Sequence, residues 1–292
     1  MIDADRTVIR PRLPLRLGSQ DLLLGERTLI MGVVNCTPDS FYSASRKEAA
    51  AEAAVHYHDL VAEGADWIDV GGESTRPGAA PVSAADEWER VAPVIDAARE
   101  AGHPVPLSID TSKYEVAVRA LDAGAVIIND VTGLAADPRL AELAARYQAG
   151  LILMHMKGTP RTMQVNPEYP DLWRHILSVL RAAIDLAVRA GVSHEQIIVD
   201  PGIGFGKTAQ HNLEIIRDLD RLAALERPIL LGASRKGFIG TVLDLPAEDR
   251  LSGTLAAHVV GRCRGAHILR VHDVAPHVQA LRVADAIARG SF

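Results

Sequence analysis

The sequence predicts an α/β protein folded as a (β/α)8 TIM barrel. Eight short, β-branched apolar segments alternate along the chain with alanine-rich segments of helical periodicity. None of the eight alternates apolar with polar residues, which is typical of parallel strands covered on both faces. A doubly wound sheet is the alternative, but eight strands within 292 residues favour one closed barrel. We therefore expect a single domain over residues 1–292.

The predicted elements follow one another in regular order. The strand candidates are residues 28–35, 67–71, 105–110, 126–130, 151–155, 197–200, 229–234 and 267–272. The helix candidates include residues 47–63, 84–101, 113–123, 138–146, 171–190, 212–225 and 250–264. Several helix candidates are followed by glycine, a common stop signal. Residues 8–25 resemble a short β-hairpin, which we expect at the N-terminal end of the barrel.

Composition excludes several classes of protein. Hydrophobic residues make up 48% of the chain and charged residues 23%, which excludes a disordered chain. The net charge of −6 argues against a general binder of nucleic acid or membrane surfaces. No segment reaches the ~18 apolar residues that a membrane-spanning helix needs. Two cysteines are too few for a disulfide framework. We therefore expect a cytoplasmic protein that binds neither nucleic acid nor membranes.

Nearly every strand candidate ends in a polar side chain. These residues are Asn35, Asp69, Asp110, Asn129, Asp130, His155, Asp200, Ser234, Arg270 and His272. The carboxyl ends of the strands in such a barrel meet at one rim, where catalytic groups gather. Helix capping could explain any single Asp or Asn. It explains Asn35, Asp110, Asn129 and Asp200 together poorly, so the sequence predicts a site at this rim.

The strand-end residues suggest two kinds of binding. Ser234-Arg235-Lys236 and Arg270-Val271-His272 concentrate positive charge at adjacent strand ends of an acidic protein, which indicates an anionic ligand. Asp110, Asn129 and Asp200 could bind a divalent cation, although no tight ligand spacing supports a metal cage. They also suit a flat heterocycle, because a carboxylate accepts parallel N–H bonds from an amino-pyrimidinone edge.

The segment DPGIGFGKT, which begins at Asp200, is not a nucleotide-binding phosphate loop. Such a loop needs a glycine where this sequence has Pro201. The three glycines of the segment instead favour a sharp turn beside a ligand, with Phe205 as an apolar wall. Histidines elsewhere, such as His56, His58, His267 and His277, lack partners at zinc-ligand spacing.

Eight segments of the chain resemble the dihydropteroate synthase family, in the family's order. They are MGVVNCTPDSF from Met31, GADWIDVGGESTRPGA from Gly64, SIDTSK from Ser108, GAVIINDVTG from Gly124, MHMKGTP from Met154, VDPGIGFGKT from Val199, GASRKGFIG from Gly232 and RVHDV from Arg270. The resemblance covers almost all of the chain after residue 28, and it implies a (β/α)8 barrel.

The resemblance implies the condensation of 6-hydroxymethyl-7,8-dihydropterin pyrophosphate with p-aminobenzoate to give 7,8-dihydropteroate and pyrophosphate. It also implies a Mg²⁺ cofactor and a homodimer. By this resemblance the pterin would be held by Asp110, Asn129, Met154, Asp200, Phe205 and Lys236. The pyrophosphate would be bound by Asn35, Arg76, Arg270 and His272, and Asn35 would also share the Mg²⁺.

The resemblance further implies two loops that close over the substrates, one with Asp39 and the other with Thr75, Arg76 and Pro77. Catalytic roles would fall to Asp39, Thr75, Arg76 and Lys236. The p-aminobenzoate would be framed by Thr75, Pro77, Phe205, Lys236 and Gly237. Because pyrophosphate leaves from a methylene carbon whose positive charge spreads into the pterin, the protein stabilises separated charge and needs no nucleophile. Cys36 is therefore expected to be a packing residue.

The chain departs from the family pattern at two places. The first loop usually continues as Ser-Asp-Gly-Gly, whereas this chain has Tyr42-Ser43-Ala44-Ser45, and closure of a loop without glycine would be stiffer. Gly237 stands where the family often has a serine that helps to hold the p-aminobenzoate carboxylate. A backbone N–H at a helix N-terminus would replace that hydroxyl.

Two other functions stay open on the sequence. A pterin-binding methyltransferase that acts on methyltetrahydrofolate would share the Asp and Asn residues but would have no pyrophosphate to bind. A non-catalytic pterin-binding paralogue would keep the pocket without the reaction. The two basic strand-end segments favour the synthase.

Overall fold

In the part of the chain that the structure describes, eight parallel strands surround a central core. The structure is a computed structural model that describes residues 10–37, 46–75, 78–159 and 162–291, with the backbone alone for residues 46–50. A hairpin of β1 (Leu13–Leu17) and β2 (Gln20–Leu24) comes first. The barrel strands are β3 (Leu29–Asn35), β4 (Trp67–Gly71), β5 (Leu107–Asp110), β6 (Ile127–Asp130), β7 (Gly150–Met154), β8 (Ile197–Asp200), β9 (Leu230–Leu231) and β10 (Ile268–Val271). The helices are α1 (Arg46–Ala62), α2 (Ala84–Glu100), α3 (Tyr114–Asp122), α4 (Arg139–Tyr147), α5 (Leu172–Arg189), α6 (Ala209–Arg217), α7 (Gly237–Leu243), α8 (Leu251–Cys263) and α9 (Val274–Arg289).

The strand order confirms the predicted (β/α)8 barrel with an N-terminal hairpin. Neighbouring strands pair in the order β8-β7-β6-β5-β4-β3-β10-β9, and a parallel bridge between Val199 and Ile229 brings the two ends of the sheet together. In register, Asp110 pairs with Gly71 on one side and with Asn129 on the other. Because the strands run parallel, their carboxyl ends form one rim.

Strand β9 is shorter than the predicted 229–234 because the chain leaves the sheet early. The backbone N–H of Ala233 donates to His258 Nε2 (3.1 Å) instead of to a neighbouring strand. Two residues later Arg235 adopts a left-handed conformation with φ of 54°. The chain therefore turns sharply before α7 begins.

The helices differ from the prediction at three places. The predicted helix over 212–225 is divided between α6 and a 3₁₀-helix over Leu219–Leu225. The helix candidates omit α7, which has two glycines in seven residues and so a low helix propensity, although the helix N-terminus expected at Gly237 is present. They also omit α9, whose Pro276 lies in the first turn, where proline is tolerated. None of the described helices has the length and apolar character needed to cross a membrane.

Side chains inside the barrel form two layers of different polarity. The layer at the amino-terminal end of the strands is apolar and includes Trp67, Ile127, Ile198 and Ile268. Side chains that are two residues apart on a strand point to the same face. The next inward residues on the same four strands are therefore Asp69, Asn129, Asp200 and Arg270. The two-residue spacing therefore places these polar and charged side chains one layer nearer the carboxyl-terminal rim.

The hairpin closes the amino-terminal end of the barrel, as predicted. Leu15, Leu17 and Leu24 are buried in the same apolar layer as the strand residues. Leu17 lies so close to Gly150 on β7 that a Cβ added to this glycine would be 2.5 Å from Leu17 Cδ2. The hairpin turn is held by a hydrogen bond from Gly18 N–H to the Gln148 carbonyl (2.9 Å).

Shortening Leu17 to alanine should lower the free energy of unfolding by about 2–5 kcal/mol, because the vacated space lies in a packed layer. Urea unfolding of Leu17→Ala measures this change. Leu23→Ala is the matched control on the same hairpin: Leu23 is 57% exposed, so its replacement should change stability by less than about 0.5 kcal/mol. Equal effects of the two substitutions would contradict a closing role for the hairpin.

Candidate active site

A cavity of about 1070 Å³ opens at the carboxyl-terminal rim. Its lining includes the predicted site residues Asn35, Thr75, Asp110, Phe205, Lys236, Gly237, Arg270 and His272. Three further predicted residues, Asn129, Met154 and Asp200, are buried beside this lining. The predicted residues Asp39, Arg76 and Pro77 lie outside the described residues, as does the segment 42–45.

Size alone does not locate the site, because another cavity has a similar volume. It measures about 1110 Å³ and is lined by residues at the start of β3 and the end of α9, such as Thr28 and Arg289. None of the polar strand ends lines it. The cavity at the rim has converging charged groups and is therefore the candidate active site.

Asp69 organises the floor of the candidate active site. Its side chain is fully buried, and Oδ2 accepts hydrogen bonds from Asn129 Nδ2 (2.9 Å) and Arg270 Nε (2.6 Å). Arg270 also donates from Nη2 to Asp110 Oδ2 (2.8 Å). One guanidinium thus joins the carboxylates of β4 and β5. In the sequence Asp69 is recognisable as the polar residue near the end of a strand, but nothing there indicates that it holds Asn129 and Arg270.

Burial and charge oppose each other in this cluster. Burial raises the pKa of Asp110 to about 7, although Arg270 favours its ionised form. Burial would lower the pKa of Arg270, but Asp69 and Asp110 outweigh burial and raise it. Arg270 therefore stays charged. Asp110 is the carboxyl group of this cluster whose protonation changes near neutral pH.

Lys236 lies across the cavity against an aromatic wall. Its Nζ is 4.3 Å from the centroid of the Phe205 ring, a cation–π distance. Burial, together with the charge of Arg270, lowers the pKa of Lys236 to about 8. Asp200 is buried nearby and accepts a hydrogen bond from Gly202 N–H (2.7 Å), while burial raises its pKa. Phe205 also packs with Met154 in a small apolar cluster.

His272 and Asn35 form the side of the cavity nearest β3 and β10. His272 Nδ1 is 2.9 Å from Ser234 Oγ, and its Nε2 is 3.4 Å from Asn35 Nδ2. Burial and then Arg270 lower the pKa of His272 to about 3, so the ring is neutral. Because the NH2 group of Asn35 can only donate, His272 Nε2 is the acceptor and Nδ1–H donates to Ser234.

Arg235 contributes less free charge than its sequence position suggests. It lines the cavity, but its Nε and Nη2 donate to the two carboxylate oxygens of Asp273 at 2.9 Å and 2.6 Å. This pair links the turn after β9 to the turn after β10. The residues of the two basic segments that remain available to an anion in the cavity are therefore Lys236, Arg270 and His272.

Lys207 holds the glycine-rich loop after β8, a role that the sequence analysis missed. The side chain is buried, and Nζ donates to the carbonyls of Gly202 (2.8 Å) and Phe205 (3.0 Å) and to His155 Nδ1 (2.9 Å). Burial lowers its pKa to about 7. The segment around Lys207 lacks the glycine spacing of a phosphate loop. That departure is the one sign in the sequence that Lys207 binds carbonyl groups of the protein and not a phosphate.

Two other polar groups at the rim also have structural roles. Lys113 forms ion pairs with Glu73 and Glu87, which anchors the segment leading to Thr75. Asp130 points away from the barrel interior, where its carboxylate accepts from the N–H groups of Thr132 (2.8 Å) and Leu134 (2.6 Å). Asp130 follows Asn129 directly and therefore faces the opposite side of the strand, where it holds the turn after β6 and caps none of the described helices.

Comparisons with known proteins agree with this geometry. A family model described as pterin binding enzyme matches residues 31–272. A dihydropteroate synthase of Clostridium beijerinckii is 45% identical over 276 residues, which cover 94% of this chain and 100% of the relative.

Solved structures of dihydropteroate synthases have the same fold. The enzyme from Xanthomonas albilineans with 4-aminobenzoic acid superimposes with a TM-score of 0.87 at 40% identity, over 95% of this chain and 98% of that chain. The Clostridium difficile enzyme in the presence of pteroic acid gives a TM-score of 0.85 at 42% identity, over 90% and 98%. The chain belongs to the pterin-binding enzyme family and, within it, to the dihydropteroate synthases.

Proposed function

We propose that this chain condenses 6-hydroxymethyl-7,8-dihydropterin pyrophosphate with p-aminobenzoate, releasing 7,8-dihydropteroate and pyrophosphate, in folate biosynthesis. The observation that carries the proposal is the convergence of Asp110, Lys236, Arg270 and His272 on one cavity. Asp110, Asn129 and Asp200 suit a flat amino-pyrimidinone, Arg270 and His272 suit a leaving anion, and the two sets adjoin where Arg270 donates to Asp110 (2.8 Å). Family membership supports the same assignment.

The pterin would lie against Met154 and Phe205, within reach of Asn129, Asp200 and Lys236. Asp110 and Asp200 are carboxyl groups able to accept the N–H donors of the pterin edge. Their burial strengthens such bonds, because water does not compete there. Lys236 lies beside Phe205, and we propose that both residues contact both substrates.

The pyrophosphate would be bound by Arg270, His272 and Asn35, with Arg76 added from the second loop. A guanidinium has five N–H donors, and Asp69 and Asp110 occupy two of those of Arg270. The others can donate to an anion while Asp69 keeps the group in place. An anion beside His272 would raise the pKa of the histidine and favour a second N–H donor.

Mg²⁺ would be bound jointly by the protein and by the phosphates of the substrate. Among the described residues no group of three or more His, Cys, Asp or Glu side chains is placed to hold a metal. Mg²⁺ commonly binds through substrate phosphates and one or two protein oxygens. Asn35 suits that role, because its Nδ2 faces His272 and leaves Oδ1 as the candidate ligand atom. Bound there, Mg²⁺ would neutralise charge on the leaving group.

The p-aminobenzoate would be framed by Phe205, Lys236, Gly237, Thr75 and Pro77. Asp39, Thr75 and Arg76 would also take part in catalysis. They belong to the two loops that would exclude water as they close over the substrates. The described residues then need only stabilise charge separation: the carboxyl groups face the cationic pterin, and the basic groups face the pyrophosphate.

We further propose that residues 1–292 act as one domain, in the cytoplasm, and as a homodimer. Cys36 and Cys263 are both free thiols, in keeping with a reducing compartment. Exposed apolar side chains on α7 and α8 and between them, namely Val242, Leu243, Leu245 and Val260, offer a surface for a second copy. Sedimentation equilibrium should give twice the chain mass of 31.3 kDa.

The deciding assay incubates the chain with pterin pyrophosphate, p-aminobenzoate and Mg²⁺, and measures dihydropteroate and pyrophosphate in equal amounts. Lys236→Met should lower kcat/KM at least about 100-fold, because it removes the charge while it keeps the stem beside Phe205. The melting temperature should change little. Undiminished turnover of the variant would remove Lys236 from the site. Pterin binding with no pyrophosphate released would favour a methyltransferase or a non-catalytic paralogue.

The rate should depend on pH through Lys236. Its ammonium form is the protonated one, so the charge is lost as pH rises through its pKa of about 8. We therefore expect kcat/KM for the pterin pyrophosphate to fall above this pH. In Lys236→Arg the alkaline decrease should move above pH 10, since arginine keeps its charge. A decrease at the same pH in both proteins would assign it to another group.

Gly237→Ser should lower the KM for p-aminobenzoate roughly fivefold, the effect of one net hydrogen bond of about 1 kcal/mol. A Cβ at this position meets no atom within 4 Å. The substitution therefore adds a hydroxyl without a clash. Gly237→Ala is the control and should leave this KM unchanged. An unchanged or higher KM in the serine variant would count against the placement of the p-aminobenzoate.

A further inference from the structure

Two buried histidines lie behind the candidate active site rather than in its lining. His258 is on α8 and His277 is on α9, and neither side chain is exposed. Their rings meet at a centroid distance of 4.9 Å, with His258 Nδ1 2.8 Å from His277 Nε2. In the sequence His277 lacks a partner at zinc-ligand spacing, and its hydrogen-bond partner in the structure is a histidine on another helix.

The hydrogen bonds of the pair have one direction only. The N–H of Ala233 can only donate, so His258 Nε2 accepts it (3.1 Å) and the proton of a neutral His258 lies on Nδ1. That Nδ1–H donates to His277 Nε2, and His277 Nδ1–H donates to the carbonyl of Asp273 (2.5 Å). Both rings are therefore neutral Nδ1–H tautomers.

Neutrality of the pair has an independent physical cause. Burial lowers the pKa of His258 well below its ordinary value and also lowers that of His277. A metal ion does not fit between them, because each of the four ring nitrogens already has a hydrogen-bond partner. The two neutral imidazoles therefore form a hydrogen-bonded link between the backbone of Ala233 and that of Asp273.

The two ends of this link adjoin cavity residues. Ala233 precedes Ser234 and Lys236 at the end of β9, and Asp273 follows His272 at the end of β10. The same two turns also meet through the Arg235–Asp273 ion pair and the Ser234–His272 hydrogen bond. The short β9 leaves Ala233 without a ladder partner, so His258 provides the acceptor that holds this turn.

We propose that His258 and His277 are positioning residues: their directional hydrogen-bond chain from Ala233 to Asp273 holds the turn that carries Ser234 against the turn that carries His272, and so shapes the pyrophosphate subsite. This inference rests on the proposed function, because it assigns the anion to that subsite. Of the residues proposed to hold the pterin, Lys236 lies on the turn that this hydrogen-bond chain holds, whereas Asp110, Asn129 and Asp200 lie on β5, β6 and β8, with which that chain makes no hydrogen bond.

The experiment measures two affinities separately by calorimetry, for inorganic pyrophosphate with Mg²⁺ and for 6-hydroxymethylpterin. His258→Ala removes the acceptor for Ala233 N–H and should weaken pyrophosphate binding about tenfold, while pterin affinity falls by about threefold at most, because Lys236 is the one pterin residue on this turn. His258→Gln should restore most of the pyrophosphate affinity, since its amide oxygen can accept the same N–H. This rescue distinguishes positioning from a general loss of packing.

His267→Ala is the matched control. His267 is also buried and also accepts a backbone N–H, from Ile229 (3.1 Å), but at the amino-terminal end of β10. It should lower the melting temperature without changing either affinity. If His258→Ala does not fold, His277→Asn takes its place, because it keeps a donor for Asp273 and removes the acceptor for His258.

The outcomes separate the two proposals. Unchanged pyrophosphate affinity in the folded variant, or an equal loss of both affinities, would overturn the role of the histidine pair. Failure of the unmodified chain to bind pyrophosphate would instead count against the proposed function. A selective loss that His258→Gln reverses would support both.

Discussion

The buried ion pair between Asp69 and Arg270 is the interaction on which the rest of the site depends. It places a fully buried carboxylate directly above an apolar layer, and one oxygen of Asp69 binds both Arg270 and Asn129. Two charges in such surroundings remain stable only as partners, and removal of either one leaves the other uncompensated, at a cost of about 3–5 kcal/mol. The pair therefore fixes the guanidinium before any substrate arrives.

That fixed guanidinium determines the electrostatics around it. Arg270 opposes the effect of burial on Asp110 and, with burial, disfavours the charged forms of Lys236 and His272. The cavity thus contains a permanently charged arginine beside groups whose protonation can follow the ligand. A site of this kind can respond to an entering anion by taking up protons, which adds favourable interactions without new residues.

The turns around the cavity are held by charged side chains whose hydrogen bonds go to other groups of the protein. Lys207 binds the carbonyls of the loop after β8, Lys113 pairs with Glu73 below Thr75, and Arg235 joins Asp273 between β9 and β10. The amino-terminal half of the barrel, closed by the hairpin, provides an apolar core beneath these contacts. The amino-terminal end of the barrel is thus packed with apolar side chains, and the polar groups at the other end are kept in place by their own partners.

The pattern of residue types along the chain predicts the architecture, which the structure confirms, and it predicts a candidate site at one rim of the barrel. Apolar segments that end in Asn35, Asp110, Asn129 and Asp200 predict parallel strands, and parallel strands in a barrel bring their carboxyl ends to one rim. Tertiary structure alone decided the partner of each polar side chain. Asp69 and Arg270 are 201 residues apart, and nothing local to either indicates their pairing. Asp130 faces away from the cavity because strand side chains alternate, while Arg235 and His258 are engaged by groups from other turns and helices. Partners of this kind are set by register and by packing between distant segments, which a linear pattern of residue types does not contain.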